Sequence, residues 1–131
     1  MNKGTKLRFS AHKILLDIYR FNITIDRSFI KNNINSLPKR DMGFINNLTM
    51  NSMRYFFHSK KILSLYTKKL PKLEERILMC SAVTQIVFIN FKEYAVIDCT
   101  VEIAKKLKKN HGFVNAVLKK ISKDKNKLRK F

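Results

Sequence analysis

The side chains in this sequence that could move a proton are His12, His58 and His111 and the carboxylates Asp41, Glu74, Glu75, Asp98 and Glu102. General acid–base chemistry needs two such groups with separate roles beside one reacting atom. No carboxylate pair here is flanked by a histidine at a spacing that suggests it. Glycine occurs only at Gly4, Gly43 and Gly112, so no glycine-rich loop exists to cradle the phosphates of a nucleotide cofactor. Cys80 and Cys99 stand nineteen positions apart without a CxxC or a nearby histidine pattern. They read as small buried residues in a reducing compartment, not as a zinc site or a disulfide framework. No catalytic residue, metal or cofactor is expected.

The chemistry that remains is charge. The chain carries 28 Lys and Arg against 9 Asp and Glu, a formal net charge of +19 over 131 residues. Residues 105–131 hold eleven of the cations and only Asp124 against them, and a second cluster, Lys3, Lys6, Arg8 and Lys13, opens the chain. Such an excess points to a polyanion, either nucleic acid or an anionic membrane surface. Part of it follows from a composition rich in Lys, Asn and Ile, which AT-rich coding favours. The membrane reading ranks last, because the basic end has no apolar anchors beyond Leu128 and Phe131. No apolar run reaches the length of a membrane span, and the first residues lack the core of a signal peptide. The expected location is the cytoplasm.

The elements that must position this charge read as helices. Leu7, Ala11, Ile14, Leu15 and Ile18 follow a 3.6-residue period and predict a first helix of about five turns that frays near Phe21 or Asn22. Asp26 is placed to cap a second helix carrying Phe29, Ile30 and Ile34 and stopping at Pro38. Pro38 and Asp41 open a third, whose buried face is expected to include Phe44, Ile45, Leu48, Met50, Met53, Phe56 and Phe57. A turn at residues 58–60 precedes a helix with Ile62, Leu63, Leu65, Tyr66 and Leu70, ended by Pro71. Residues 73–91 are the most apolar stretch and predict the central helix. Their run VTQIVFINF is strand-like in composition, yet no partner strand exists to satisfy a strand's backbone groups. A further helix with Val96, Ile97, Val101, Ala104 and Leu107 is broken at His111 and Gly112, and a last one carries Phe113, Val114, Val117, Leu118 and Ile121. The prediction is all-α, a single bundle of about seven helices over residues 1–122, with a basic tail over 123–131 that lacks fixed structure until it meets an anion.

Residues 93–121, EYAVIDCTVEIAKKLKKNHGFVNAVLKKI, resemble the last two helices of the NusB family of RNA-binding domains. Ile97, Asp98, Val101, Glu102, Ile103, Ala104 and Lys105 match the first of these helices. Phe113, Val114, Asn115, Val117 and Leu118 match the "FVNxVL" opening of the second. Upstream, Ala11, Ile14 and Leu15 are similar to the family's first helix, Arg40, Asp41, Phe44 and Leu48 to its "RD...F...L" segment, and Ile77, Leu78 and Gln85 to its central helix. The resemblance implies a NusB-like bundle that binds RNA. In the free-standing branch it implies binding of boxA-type single-stranded RNA in the nascent leader of ribosomal RNA operons, with a small-subunit ribosomal protein as partner, during transcription antitermination. The other branch is the N-terminal domain of rRNA 5-methylcytosine methyltransferases, which serves small-subunit rRNA. Ala116, Lys119 and Lys120 are closer to that branch, whereas the chain's length, without a cofactor loop or catalytic cysteine motif, fits a non-enzymatic factor.

On this reading Lys3, Lys6 and Arg8 with Lys105, Lys109, Lys119 and Lys120 hold phosphates without reading bases. His111 either stacks on a base or covers a helix end. Phe113 either stacks on a splayed base or belongs to the core. Asn115 either bonds a base edge or RNA backbone oxygen, or makes a helix-end hydrogen bond inside the protein. A third function class is a protein-interaction adaptor that uses Phe56, Phe57, Tyr66 or Phe88 to recruit a ribosomal protein.

Overall fold

A helix that is apolar on every side has to sit among others, and residues 77–87 are buried without a break. The computed structural model describes residues 1–130. It contains α1 (Lys3–Phe21), α2 (Ile25–Lys31), α3 (Lys39–Arg54), α4 (Phe56–Leu65), α5 (Leu73–Val83), α6 (Glu93–Lys106), α7 (His111–Lys123) and the single turn α8 (Lys125–Leu128). The buried run is α5 together with a wider π-type turn, Thr84–Phe88, that continues it. No strand forms among the described residues, and the strand-like run is the end of this central helix.

Local chemistry sets the ends. Asn2 caps α1 by accepting the Thr5 N–H at 2.8 Å, and Asn22 closes it in the left-handed region at φ 56°, a conformation asparagine tolerates better than most residues. Thr24, not Asp26, caps α2; Asp26 lies inside the first turn, where its charge favours the helix dipole. The predicted second helix is shorter than the pattern suggested. It ends at Lys31, and Ile34 belongs to a separate 3₁₀ turn, Ile34–Ser36. Buried Asp17 of α1 explains the stop, accepting from Ser28 Oγ at 2.7 Å, Lys31 Nζ at 2.9 Å and Asn32 Nδ2 at 3.2 Å. Burial alone would raise its pKa, but these three donors outweigh burial and hold the carboxyl below its ordinary range.

The next break also differs from the sequence pattern. Helix α3 gives way to α4 at Tyr55, ahead of residues 58–60, because the Tyr55 ring lies flat on Phe88 with centroids 4.5 Å apart and planes 1° apart. This break turns Phe57 outward, 78% exposed, and Met50 is also exposed, so neither belongs to the buried face. Helix α4 ends at Leu65, well before Pro71.

Two apolar clusters result. Ala11, Ile14, Ile34, Ile45 and Leu48 join α1, α3 and the 3₁₀ turn. A larger cluster joins α4 to α8 around Met79, Val83, Ile86, Ile103 and Leu118. Three polar contacts fix how neighbours sit on the central helix: Ser52 with Ser81 at 3.0 Å from α3, Ser59 with Thr84 at 2.8 Å from α4, and Arg8 Nε donating to Gln85 Oε1 at 2.7 Å from α1. For Ser52 and Ser59, both buried, these contacts supply the bond that a buried hydroxyl needs.

The expectation of an unstructured tail from Lys123 is corrected. Leu128 of α8 is buried in the larger cluster. Tyr66 donates its hydroxyl to Asp124 at 2.5 Å, and Lys125 pairs with Glu93 at 2.7 Å. Arg129 donates to the Val87 carbonyl at 2.9 Å and to Asn90 Oδ1 at 3.1 Å. That carbonyl lies where the central helix runs out of its own donors. A leucine anchor and a guanidinium cap are reasons for order that a lysine-rich composition hides. Phe131 of that tail lies outside the described residues.

Candidate nucleic-acid interface

Helices α1 and α6 pack against each other. At the start of α1, Asn2 and Thr5 line a recess of about 220 Å³ with Asp98, Cys99 and Glu102 from the middle of α6. Glu74 at the start of α5 pairs with Lys109 at 3.4 Å and lies 3.8 Å from His12 Nε2 in the middle of α1. His12 is buried, and neither ring nitrogen has a hydrogen-bond partner. Burial pushes its pKa down to about 4, an effect that Glu74 offsets only in part. The imidazole is therefore neutral at physiological pH and serves as packing, not as a proton carrier.

Among the residues singled out in the sequence, Lys6, Lys105, Lys119 and Lys120 are exposed and have no ion pair among the described residues. Lys106 and Lys108 share that condition, and the left-handed Lys108, at φ 58°, ends α6. The turn that follows carries His111, exposed on the first residue of α7. Helix α7 starts here because Asn110 accepts the Phe113 N–H at 3.0 Å, so His111 and Gly112 open the helix where the sequence pattern places a break. Ala116, Lys119, Lys120 and Lys123 continue outward along it.

Three expected phosphate contacts have other partners. Arg8 is half-buried; besides Gln85, its Nη1 donates to the Gly4 carbonyl at 3.3 Å and contacts Cys99 Sγ at 3.7 Å. Its guanidinium also lies 5.5 Å from the Phe44 ring centre and 5.8 Å from that of Phe91. Arg8 thus joins α1, α3, α6 and the central helix. Lys3 pairs with Asp41 at 3.1 Å on the α3 side, away from α6, and Lys109 is held by Glu74. Phe113 is partly buried against the larger cluster. Asn115 is half-buried, and its side-chain amide makes no hydrogen bond among the described residues.

The structure also exposes cations that the sequence reading did not select as contacts. Arg40 and Arg54 stand at the two ends of α3, exposed and unpaired among the described residues. The spacing of Arg40, Asn47 and Arg54, seven residues each, could have flagged them as sharing a helix face. Among the described residues no helix is long and apolar enough to cross a membrane, and no three His, Cys, Asp or Glu side chains converge as metal ligands.

An all-helical bundle with free cations at the end of α6 and along α7 belongs to the class of helical domains with a surface suited to polyanions. Comparison with family models matches the NusB family over residues 5–123, and the chain belongs to that family of all-helical RNA-binding domains. No curated protein matches it.

Proposed function

We propose that this protein binds single-stranded RNA of boxA type in nascent ribosomal RNA leaders and acts with a ribosomal-protein partner in transcription antitermination. The observation that carries the reading is the family match, which spans α1 from its third residue, Thr5, and the whole of α7. Lys105, Lys106 and Lys108 at the end of α6 and Lys119 and Lys120 on α7, all exposed and without an ion pair among the described residues, support it as phosphate-holding groups, with Lys6 on α1 as a further exposed cation. His111 and the free amide of Asn115 stand beside those lysines as the groups able to meet a base. A second reading, an accessory RNA-binding domain serving an rRNA methyltransferase, is favoured by one feature, the exposed Ala116 beside Lys119 and Lys120.

Crosslinking the tagged protein to RNA in its own cells and sequencing the recovered fragments separates these readings. Reads on nascent leader and spacer segments of ribosomal operons are expected. Reads confined to mature small-subunit rRNA would transfer the protein to the methyltransferase reading, and no enrichment over background would remove RNA binding altogether. In purified protein, replacing Lys105, Lys119 and Lys120 together by glutamine should flatten the salt dependence of RNA affinity by about 2, since each lost phosphate contact on a single strand contributes about 0.7 to the slope.

A further inference from the structure

Helix α3 presents a continuous groove that the surface around α6 and α7 does not include. A cleft of about 710 Å³ between the start of α1 and α3 is lined in part by Gly4, Arg40, Gly43 and Phe44. A second, of about 540 Å³, is lined in part by Met50, Asn51 and Arg54, and Asn47 belongs to both. Arg40, Gly43, Asn47, Met50 and Arg54 recur every three or four residues and are all exposed, so the two clefts lie along one face of the helix. Arg40 and Arg54 are separated by about 21 Å along the axis at 1.5 Å per residue. Helix α3 packs on α1 and the central helix, whereas α7 packs on α6 and the central helix, so this is a different part of the surface.

Lys3 and Asp41 also line the first cleft and are paired with each other, which leaves the groove with excess positive charge. The only carboxylate on α3, Asp41, is buried and paired with Lys3, so the helix itself puts no exposed negative charge beside the two free guanidinium groups. Between them Asn51 donates its amide to the Asn47 carbonyl and to Asn47 Oδ1, each at 2.9 Å. That holds the Asn47 side chain while leaving its own NH₂ without an acceptor among the described residues. Phe44 lines the first cleft as a half-buried ring that also meets the Arg8 guanidinium and Phe91, whose centroid is 5.9 Å away. Gly43 leaves the space beside it open, since a Cβ there would meet no atom within 4 Å. The result is a half-buried aromatic ring, open space beside Gly43, a fixed amide donor and a cation at each end.

We infer that the α3 groove is a second track for single-stranded RNA, extending the contact beyond the surface around α6 and α7. Arg40 and Arg54 hold phosphates, Phe44 or Met50 supports a base, and Asn47 donates to a base edge or sugar oxygen. An acidic peptide would use the two arginines equally well, but a planar ring beside open space and a fixed amide between the cations fit a base-bearing strand better. The inference rests on the reading that the protein binds single-stranded RNA.

The test compares the wild-type protein, Arg40→Gln/Arg54→Gln and Lys105→Gln/Lys119→Gln/Lys120→Gln for binding to a labelled single-stranded RNA of roughly 20 nucleotides, long enough to cover more than one site. Affinity is measured across a salt series, with polyglutamate as competitor. Arg40 and Arg54 have no partners among the described residues, and circular dichroism checks that the double variant keeps its helices. The expected result is binding roughly ten-fold weaker for the arginine variant, with a salt slope shallower by about 1.4. An Asn47→Asp variant should weaken binding as well, by placing a carboxylate in the middle of the track. An arginine variant that binds like wild type while the lysine variant is weakened overturns the α3 track and leaves the RNA reading standing. Loss in the arginine variant alone supports the track and removes the α6–α7 surface. A wild-type protein that binds no RNA overturns both, and polyglutamate binding that depends on Arg40 and Arg54 without RNA binding assigns the groove to an acidic peptide.

Discussion

Replacing His12 by leucine should remove most of the acid sensitivity of this fold between pH 7 and pH 5. His12 is 2% exposed, neither of its ring nitrogens is hydrogen-bonded, and burial holds its pKa at about 4 against an ordinary value of 6.5. A lowered histidine pKa means that the unfolded chain takes up the proton first. Its contribution to stability is therefore present above pH 6.5 and is lost as the pH falls toward 4. With one pKa unit equivalent to 1.36 kcal/mol, the loss between pH 7 and pH 5 is about 2 kcal/mol, and about 3 kcal/mol once the pH is below both values. At this chain length that is a fall in Tm of roughly 6–10 °C by pH 5. Glu74, at 3.8 Å from the ring, offsets part of the effect of burial, while Lys13 and Arg20 add to it. Urea unfolding followed by circular dichroism at pH 7, 6 and 5 gives the slope directly. Leucine is close in size and needs no partner, so His12→Leu should match or exceed wild-type stability at pH 5 and show a flatter profile. Parallel pH profiles in the two proteins would refute a buried, neutral His12. The carboxyls of Asp17 and Glu93 are held below their ordinary range, so their contribution is lost at lower pH and does not mask this window.

Other consequences are as direct. Leu128→Ala should cost about 2–3 kcal/mol in urea unfolding, as expected for a buried leucine, and no measurable cost would return the tail to an unstructured segment. Gly43→Ala lies in a helix interior with open space for the methyl group and should raise stability by about 0.5–1 kcal/mol; a lower Tm would mean that the cleft is not open there. Arg8→Lys keeps the charge but cannot reproduce the fork to Gln85 and the Gly4 carbonyl, so it should cost about 1.5–3 kcal/mol while leaving the salt slope of RNA binding unchanged. A slope that changes with stability intact would place Arg8 on the RNA after all.

The parts of this fold that were legible in the sequence are those where one helix carries its own signal. The 3.6-residue stripe of α1, the restart at Pro38 and the continuous apolar run of the central helix are local facts, and the structure contains all three. The misplaced boundaries depend on partners distant in sequence. Tyr55 breaks α3 from α4 through Phe88, and Asp17 ends α2 from a different helix. Arg8 shows the same limit at the candidate site. Within a cluster with Lys3 and Lys6 it reads as a surface cation, and only its bond to Gln85, 77 positions away, turns it inward. The start of α7 was blurred because Asn110 caps with its side chain while His111 and Gly112 look like a break. The groove on α3 is hidden for a different reason: Arg40 and Arg54 are fourteen positions apart, and charge clustering along the chain does not detect a face whose members are seven residues apart.

The central claim, recognition of single-stranded RNA, is tested most directly by fluorescence anisotropy of the purified protein with a boxA-type RNA, a scrambled RNA of the same length and a DNA duplex, across a salt series. The account predicts tighter binding to the boxA-type strand that persists at physiological salt, on a slope set by several phosphate contacts. Equal affinity for all three polyanions, disappearing together as salt rises, would contradict it and leave only a basic surface without a specific ligand.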